Sequence, residues 1–483
     1  MNDSLKKKTI TGLIWSSIES FSGQIISFFI TLLLARLITP DEYGIVAIVL
    51  VFITVAGVMV DAGFANALIR KIDCTDTDRS TVLYFNIVIS LLIYFILWIL
   101  SPFISDFYNN DKLLIYIRIS SLIIIIDSLK IVQQAVLSAN IDFKKQTKIS
   151  LFSSVIPGVV AIFMAYKGYG VWALITQYLL ISVIKTIMLW CVVKWKPLFV
   201  FSKDSFNDLF KFSSKLMMSS LMIIGGREII QLLIGKFFNV NNLGYYNYAN
   251  KMGSFLSTNI SSAIQRVLFP VFSQIQDNDE QLAYNFRKTQ VLSMIFIFPL
   301  MFTIMGLAEP IINLFLTEEW LPTIPLLKII AITMSIWPLI IFNMNILWVK
   351  KRSDLTLKLE IVNIIFRLGT VVLFYRTGIL WVCVALCVVE ILNFIAFAHT
   401  LGRICSYGLL KQVKDLYFML IASLISALIV MYFVIPNINN NILCIVVGAI
   451  LILIIYILFI LIKRGFEYNL IVEFVKSNII RKI

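Results

Sequence analysis

Arg118, Lys130, Lys185, Arg227 and Arg367 each fall well inside a long apolar run, where a basic side chain is least expected. A Lys or Arg facing lipid at a helix centre costs about 2.5 to 3.5 kcal/mol, so the set calls for a hydrated, protein-lined interior. These five are the candidates to line a cationic cavity. Lys215, Lys251, Arg266 and Lys328 lie within a turn or two of the ends of such runs, where a long stem lets the charge reach the interface instead. Carboxylates occur at depth as well. Asp127 stands three residues before Lys130 and Glu228 directly follows Arg227, which suits both to structural ion pairing. Glu19, Asp61 and Glu390 have no such neighbour, which makes them the candidates for coupling to an ion.

The polar residues around these charges are spaced as helix faces. Asp127, Lys130 and Gln134 recur at i, i+3 and i+7, and Ser220, Arg227 and Gln231 repeat the idea beside Gly225-Gly226, where a helix can bend. Glu360, Asn363 and Arg367 form a third such face. The Ser, Thr and Gly faces of other runs, such as Ser254, Thr258 and Ser261, are equally explained by helix–helix packing. Pro157, Pro299 and Pro338 fall inside runs, where they bend a helix and either permit flexing or simply shape it.

Positioning these residues requires an all-α polytopic membrane protein. Of 483 residues, 60% are hydrophobic and 14% charged, and about fourteen apolar runs are long enough to span a bilayer. The runs lie near 10–34, 44–66, 83–105, 113–137, 149–166, 170–192, 213–238, 250–272, 290–316, 324–348, 358–376, 378–400, 415–435 and 442–462. Alternate connections hold about 27 Lys and Arg against about five on the other face, so both termini are expected in the cytoplasm. The net charge of +14 then reads as topology and contact with anionic lipid, with no nucleic-acid partner.

A faint internal repeat relates Leu33-Leu34-Ala35-Arg36 to Leu233-Ile234-Gly235-Lys236 and Gly44 to Gly244. Each stretch ends the first run of a six-run block, so the implied halves run parallel: two six-helix lobes and a terminal helix pair. The expected division is 1–192 and 213–400 for the lobes, an amphipathic cytoplasmic linker at 193–212, the pair at 401–462 and a tail at 463–483. The stretch from Phe199 to Phe212 suits a helix lying in the headgroup layer.

No phosphate-binding loop and no H-E-x-x-H zinc motif occurs. Six scattered cysteines and a single His399 lack metal-ligand spacing and read as packing and interfacial residues. No cofactor, metal or catalytic residue is expected, and the chain does not read as an enzyme.

Three stretches are distinctive: Leu34-Ala35-Arg36-Leu37-Ile38-Thr39-Pro40-Asp41-Glu42-Tyr43-Gly44, Asp61-Ala62-Gly63-Phe64-Ala65-Asn66-Ala67-Leu68 and Leu243-Gly244-Tyr245-Tyr246-Asn247-Tyr248-Ala249. They resemble the Wzx-type bacterial polysaccharide flippases, most of all the WzxC-like branch. The resemblance implies the multidrug/oligosaccharidyl-lipid/polysaccharide (MOP) exporter superfamily, with fourteen helices, a central cavity as in MATE transporters, and alternating access. It also implies, as cargo, an undecaprenyl-diphosphate-linked oligosaccharide repeat unit crossing the bacterial inner membrane for capsule, O-antigen or exopolysaccharide synthesis. The partners it implies are membrane lipids, a polysaccharide polymerase and other assembly proteins. A diphosphate suits a cationic cavity formed by Arg118, Lys130, Lys185, Arg227 and Arg367. The cavity arginines of the related lipid II flippases have no match here, because the first run offers Glu19 and no arginine before Arg36. The competing readings are a drug exporter of the same superfamily, a membrane-embedded polymerase or ligase, and a passive scaffold.

Overall fold

The computed structural model describes residues 23–71, 73–140, 142–463, 465–468 and 470. Among them every regular element is helical, and the chain forms two compact units, Met1–Asn247 and Tyr248–Ile483. The first unit holds α1 (Gly23–Leu37), α2 (Pro40–Asp61), α3 (Phe64–Arg70), α4 (Asp76–Tyr108), α5 (Lys112–Ser120), α6 (Leu122–Ser128) and α7 (Ile131–Ala139). It continues through α8 (Phe143–Tyr166), α9 (Val171–Val192), α10 (Lys203–Phe238) and the start of α11 (Val240–Gln274). The second unit adds α12 (Asp279–Gly306), α13 (Ala308–Phe315), α14 (Thr323–Val349), α15 (Ser353–Phe374), α16 (Ile379–Gly402), α17 (Leu409–Ile429) and α18 (Asn441–Lys463).

Among the described residues ten helical stretches are long and apolar enough to cross a membrane. Of the other four expected runs, 10–34 lies outside the described residues up to Phe21-Ser22 and continues as α1, and the remaining three are helical but fall outside that group for visible reasons. The run at 113–137 is broken into α5, α6 and α7, α11 is rich in Asn and Ser, and α15 carries Lys358, Glu360 and Arg367. The run at 44–66 is also interrupted: Ala62 and Gly63 take left-handed conformations, with φ of 45° and 76°, and separate α2 from α3.

Sequence explains where the helices begin. Thr39 caps α2, accepting from the Glu42 amide while the Glu42 carboxylate accepts from the Thr39 amide, with Pro40 at the first helical position. Thr75 and Asp78 repeat this box at the start of α4. Asn239 does the same for α11, its Oδ1 accepting from the Asn242 amide at 2.8 Å. Thr39 and Asn239 are 200 residues apart, the offset of the internal repeat.

That repeat has a packing counterpart. A Cβ on Gly44 would lie 2.0 Å from the Val240 carbonyl oxygen, and one on Gly244 would lie 1.9 Å from the Pro40 oxygen. The two helix starts thus cross reciprocally, each glycine admitting the backbone of the other.

The stretch from Phe199 to Phe212 differs from a free surface helix. From Lys203 onward it forms the first turns of α10, which runs unbroken through Gly225-Gly226 and packs on α2, α3 and α4. Phe206 and Phe210 stack at 5.1 Å and close over Phe64 and Phe85, so that part of the apolar face packs on protein, while Phe199 and Phe201 stay exposed.

The core of the second unit gathers α12, α14, α16, α17 and α18 around Phe298, Phe397, Met419 and Ile452. Buried amides cross it: Gln290 and Asn343 both donate to the Gln412 side-chain carbonyl at 3.0 Å. Arg287 forks onto Asp415 with two contacts of 2.7 Å, and the Tyr407 hydroxyl donates to the same carboxylate at 2.8 Å.

Gly44→Ala is expected to lower stability by ~1–3 kcal/mol, since its methyl group has no room beside a backbone carbonyl. Gly225→Ala, where an added Cβ meets nothing within 4 Å, should be neutral or gain ~0.5–1 kcal/mol. Thermal unfolding of both variants in detergent checks this, and equal behaviour would show that the crossing is not close.

Candidate functional site

The chain break after α6 places charge where the sequence expects it. Leu129 and Lys130 interrupt the run, and a broken helix at bilayer depth leaves carbonyls that must find donors within the protein. The neighbouring α9 supplies them: Thr186 Oγ1 donates to the Ile126 carbonyl at 3.2 Å and Trp190 Nε1 to that of Leu129 at 3.0 Å. On the same face of α9, Ser182 donates to the Asp127 carboxylate, which also pairs with Lys130.

Asp127 and Lys130 border a cavity of about 510 Å³ within the first unit. Asp127, Lys130 and Gln134 form one wall and Lys185 of α9 another. A third is the turn that follows α2, with Asp61, Gly63 and Asn66, and Ser220 of α10 closes the fourth. The Asp61 carboxylate accepts from the Ala65 amide at 3.2 Å and so steadies the Ala62-Gly63 turn. Gly63 itself is pressed against α10, since a Cβ there would lie 3.0 Å from both Leu216 and the Ser213 carbonyl. The volume falls within the ~300–1,000 Å³ usual for small-molecule sites.

The other expected residues lie elsewhere. Arg118 stands 3.9 Å over the Trp98 ring, its Nε donating to Ser101 Oγ at 2.9 Å. Arg227 is exposed and pairs with Glu228 at 3.3 Å; Glu228 is buried and also accepts from Gln231, which in turn accepts from Asn247. In the second unit, Arg367 meets Glu390 at 3.3 Å, the carboxylate only 7% exposed. Glu390, which has no neighbour of opposite charge along the chain, thus finds one on the adjacent helix. Glu19 and the Arg266 side chain lie outside the described residues.

Sequence reasoning left Ser182 and Asn66 unnoticed. Ser182 stands three residues before Lys185, the spacing of one helix face. Asp61-Ala62-Gly63 is a turn signal inside an apolar run, and it places Asn66 at the cavity. His399 contacts Arg403 at 3.1 Å on the surface. All six cysteines are free, and burial pushes the Cys74 and Cys405 thiols up, away from the reactive thiolate. Among the described residues no acidic, cysteine or histidine cluster could hold a metal ion.

A family model described as "Polysaccharide biosynthesis protein" matches residues 33–325, more than half of the chain. The chain belongs to that family. Its polysaccharide biosynthesis relatives include the Bacillus subtilis teichuronic acid biosynthesis protein TuaB, 28% identical over 73% of this chain and 73% of its own length. The Escherichia coli lipopolysaccharide biosynthesis protein WzxC is 24% identical over 81% of this chain and 80% of its own. The succinoglycan biosynthesis transport protein ExoT of Rhizobium meliloti is 26% identical over 70% of this chain and 68% of its own. Among solved structures, the lipid II flippase MurJ in an inward closed conformation aligns with a TM-score of 0.76 at 14% identity, over 93% of this chain and 99% of its own. An inward-facing MATE transporter aligns with a TM-score of 0.63 at 14% identity, covering 80% and 98%. This member of the polysaccharide biosynthesis family is a multi-pass membrane protein that shares the fold of MurJ and the MATE transporters.

Removing one partner of the Arg367–Glu390 pair strands a charge and is expected to cost about 3 kcal/mol. Arg367→Met should therefore unfold well below the parent protein in detergent, and Arg367→Met combined with Glu390→Met should recover most of the loss. A single variant as stable as the parent would show that the pair holds nothing together.

Proposed function

We propose that this protein moves an undecaprenyl-diphosphate-linked oligosaccharide repeat unit from the cytoplasmic to the outer leaflet of the bacterial inner membrane. The observation that carries the reading is the cavity: a polysaccharide biosynthesis family member keeps two lysines, two aspartates and several uncharged polar groups around 510 Å³ inside its apolar first unit. Purely structural helices would not retain them, because each charge at depth is costly. The fold shared with MurJ and the names of WzxC and ExoT support the same reading.

In this mechanism the sugar and diphosphate cross through hydrated protein while the polyprenyl chain stays in lipid. Two lobes, 1–192 and 213–400, with the pair 401–462 attached, rock to expose each side in turn. Both termini lie in the cytoplasm, consistent with about 27 basic residues on that face. Lys130 and Lys185 meet the anionic part of the cargo as it passes, and Arg118, Arg227 and Arg367 act along its path. Asp61, Glu19 and Glu390 are the candidates for coupling to an ion gradient. No bond is made or broken, and the polymerase and other assembly proteins act on the product outside.

The test is reconstitution in liposomes with a fluorescent undecaprenyl-diphosphate oligosaccharide, following its accessibility in each leaflet with and without a proton gradient. Protein-dependent movement is expected, slowed about tenfold in Lys185→Ala, the equivalent of ~1.4 kcal/mol. Absence of movement in folded protein, together with export of a small cationic dye, would replace this reading with drug export.

A further inference from the structure

We propose that the cavity of the first unit is the subsite for the sugar rings of the cargo, and that it is built for a glycan without net charge rather than an acidic one. The inference rests on the flippase reading above and deepens it.

Among the described residues the charges on its wall cancel: Asp61 and Asp127 stand against Lys130 and Lys185, and no arginine lines it. Asp127 is engaged by both Lys130 and Ser182, so a large part of the local positive charge is answered before any ligand arrives. The same holds of Arg227 and Arg367, which face Glu228 and Glu390. A hexuronic acid entering this space would find Lys130 already engaged by Asp127 and would approach the Asp61 carboxylate, which has no basic group within 4 Å among the described residues, in a setting that screens poorly; like charges brought together there cost several kcal/mol.

The uncharged groups of the wall are the second observation. Serines and threonines within these helices commonly turn back on the carbonyl one turn earlier, as Thr81, Ser121 and Ser213 do. Thr54 and Ser220 on the cavity wall do not, and the side chains of Asn66 and Gln134 likewise make no hydrogen bond to the described residues. Four hydrogen-bonding side chains from α2, α3, α7 and α10 are therefore open toward one space. Amides and hydroxyls offer donors and acceptors together, which is what a ring of hydroxyl groups, each donor and acceptor at once, requires. Between them Ile53, Ile124 and Leu216 give apolar surface for the C–H faces of the rings.

The experiment uses the full chain in liposomes and three fluorescent undecaprenyl diphosphates of identical lipid and linkage. One carries a neutral hexose trisaccharide, one the same trisaccharide with a hexose oxidised to hexuronic acid, and one no sugar. The neutral trisaccharide is expected to move at least about tenfold faster than the acidic one, as one uncompensated like-charge approach dictates. Asp61→Asn should narrow that ratio, because it removes a repelling carboxylate and keeps the hydrogen-bonding shape. Microscale thermophoresis with the soluble trisaccharides supplies a readout independent of transport: binding of the neutral one, weakened in Gln134→Ala. Equal or faster movement of the acidic cargo would overturn the subsite while leaving the flippase reading intact. So would an unchanged ratio in Asp61→Asn. If none of the three lipids moves, but the neutral trisaccharide binds and Gln134→Ala weakens it, the subsite stands and the flippase reading fails.

Discussion

Inside a bilayer no water is available to complete a broken helix or shield a charge, so every interruption must be answered by another part of the protein. The first unit is organised around two such interruptions. At Ala62-Gly63 the Asp61 side chain accepts the Ala65 amide and the glycine lets α10 approach; at Leu129-Lys130, Thr186 and Trp190 of α9 take the exposed carbonyls. Both breaks open onto the same cavity. The polar wall is thus a consequence of how the breaks are satisfied, and the side chains that satisfy them bring Ser182 and Lys185 with them.

The same constraint governs the charges. A basic residue at depth is tolerable when a carboxylate stands beside it, and among the described residues Lys130, Arg227 and Arg367 each have one within 4 Å. Arg118 uses the face of Trp98 instead. Most of the basic surplus of the chain falls in its connections and tails. A sequence read for net charge alone suggests a cationic interior; in three dimensions Lys130, Arg227 and Arg367 are each found beside a carboxylate.

Much of this architecture is legible in the order of residues alone. Apolar runs locate the helices because length and hydropathy are set by the bilayer, and the Thr39-Pro40-Asp41-Glu42 box marks a helix start by local hydrogen bonding. The face of Asp127, Lys130 and Gln134 follows from helical spacing and meets one cavity. Contact between distant segments is what the order of residues does not disclose. Nothing local joins Arg367 to Glu390, or Ser182 to Asp127 across 55 residues. The stretch around Phe206 is readable as amphipathic, but whether its apolar face meets lipid or Phe64 and Phe85 depends on a partner over a hundred residues away.

The stretches that carry the family resemblance are largely those that build the frame. Thr39 to Gly44 forms a cap and a close crossing, Gly244 returns that crossing from the repeat, and Asp61 to Gly63 forms the break. These positions restrict residue type through backbone geometry, which does not depend on the cargo, and so they suit relatives named for teichuronic acid, succinoglycan and lipopolysaccharide alike. Thr54, Gln134, Lys185 and Ser220 line the cavity outside those stretches. Their backbone roles are ordinary helix, so backbone geometry does not restrict side-chain identity there. Frame and cavity wall meet in the stretch from Asp61 to Asn66, where Asp61 caps the break and stands on the wall, with Gly63 and Asn66 beside it there.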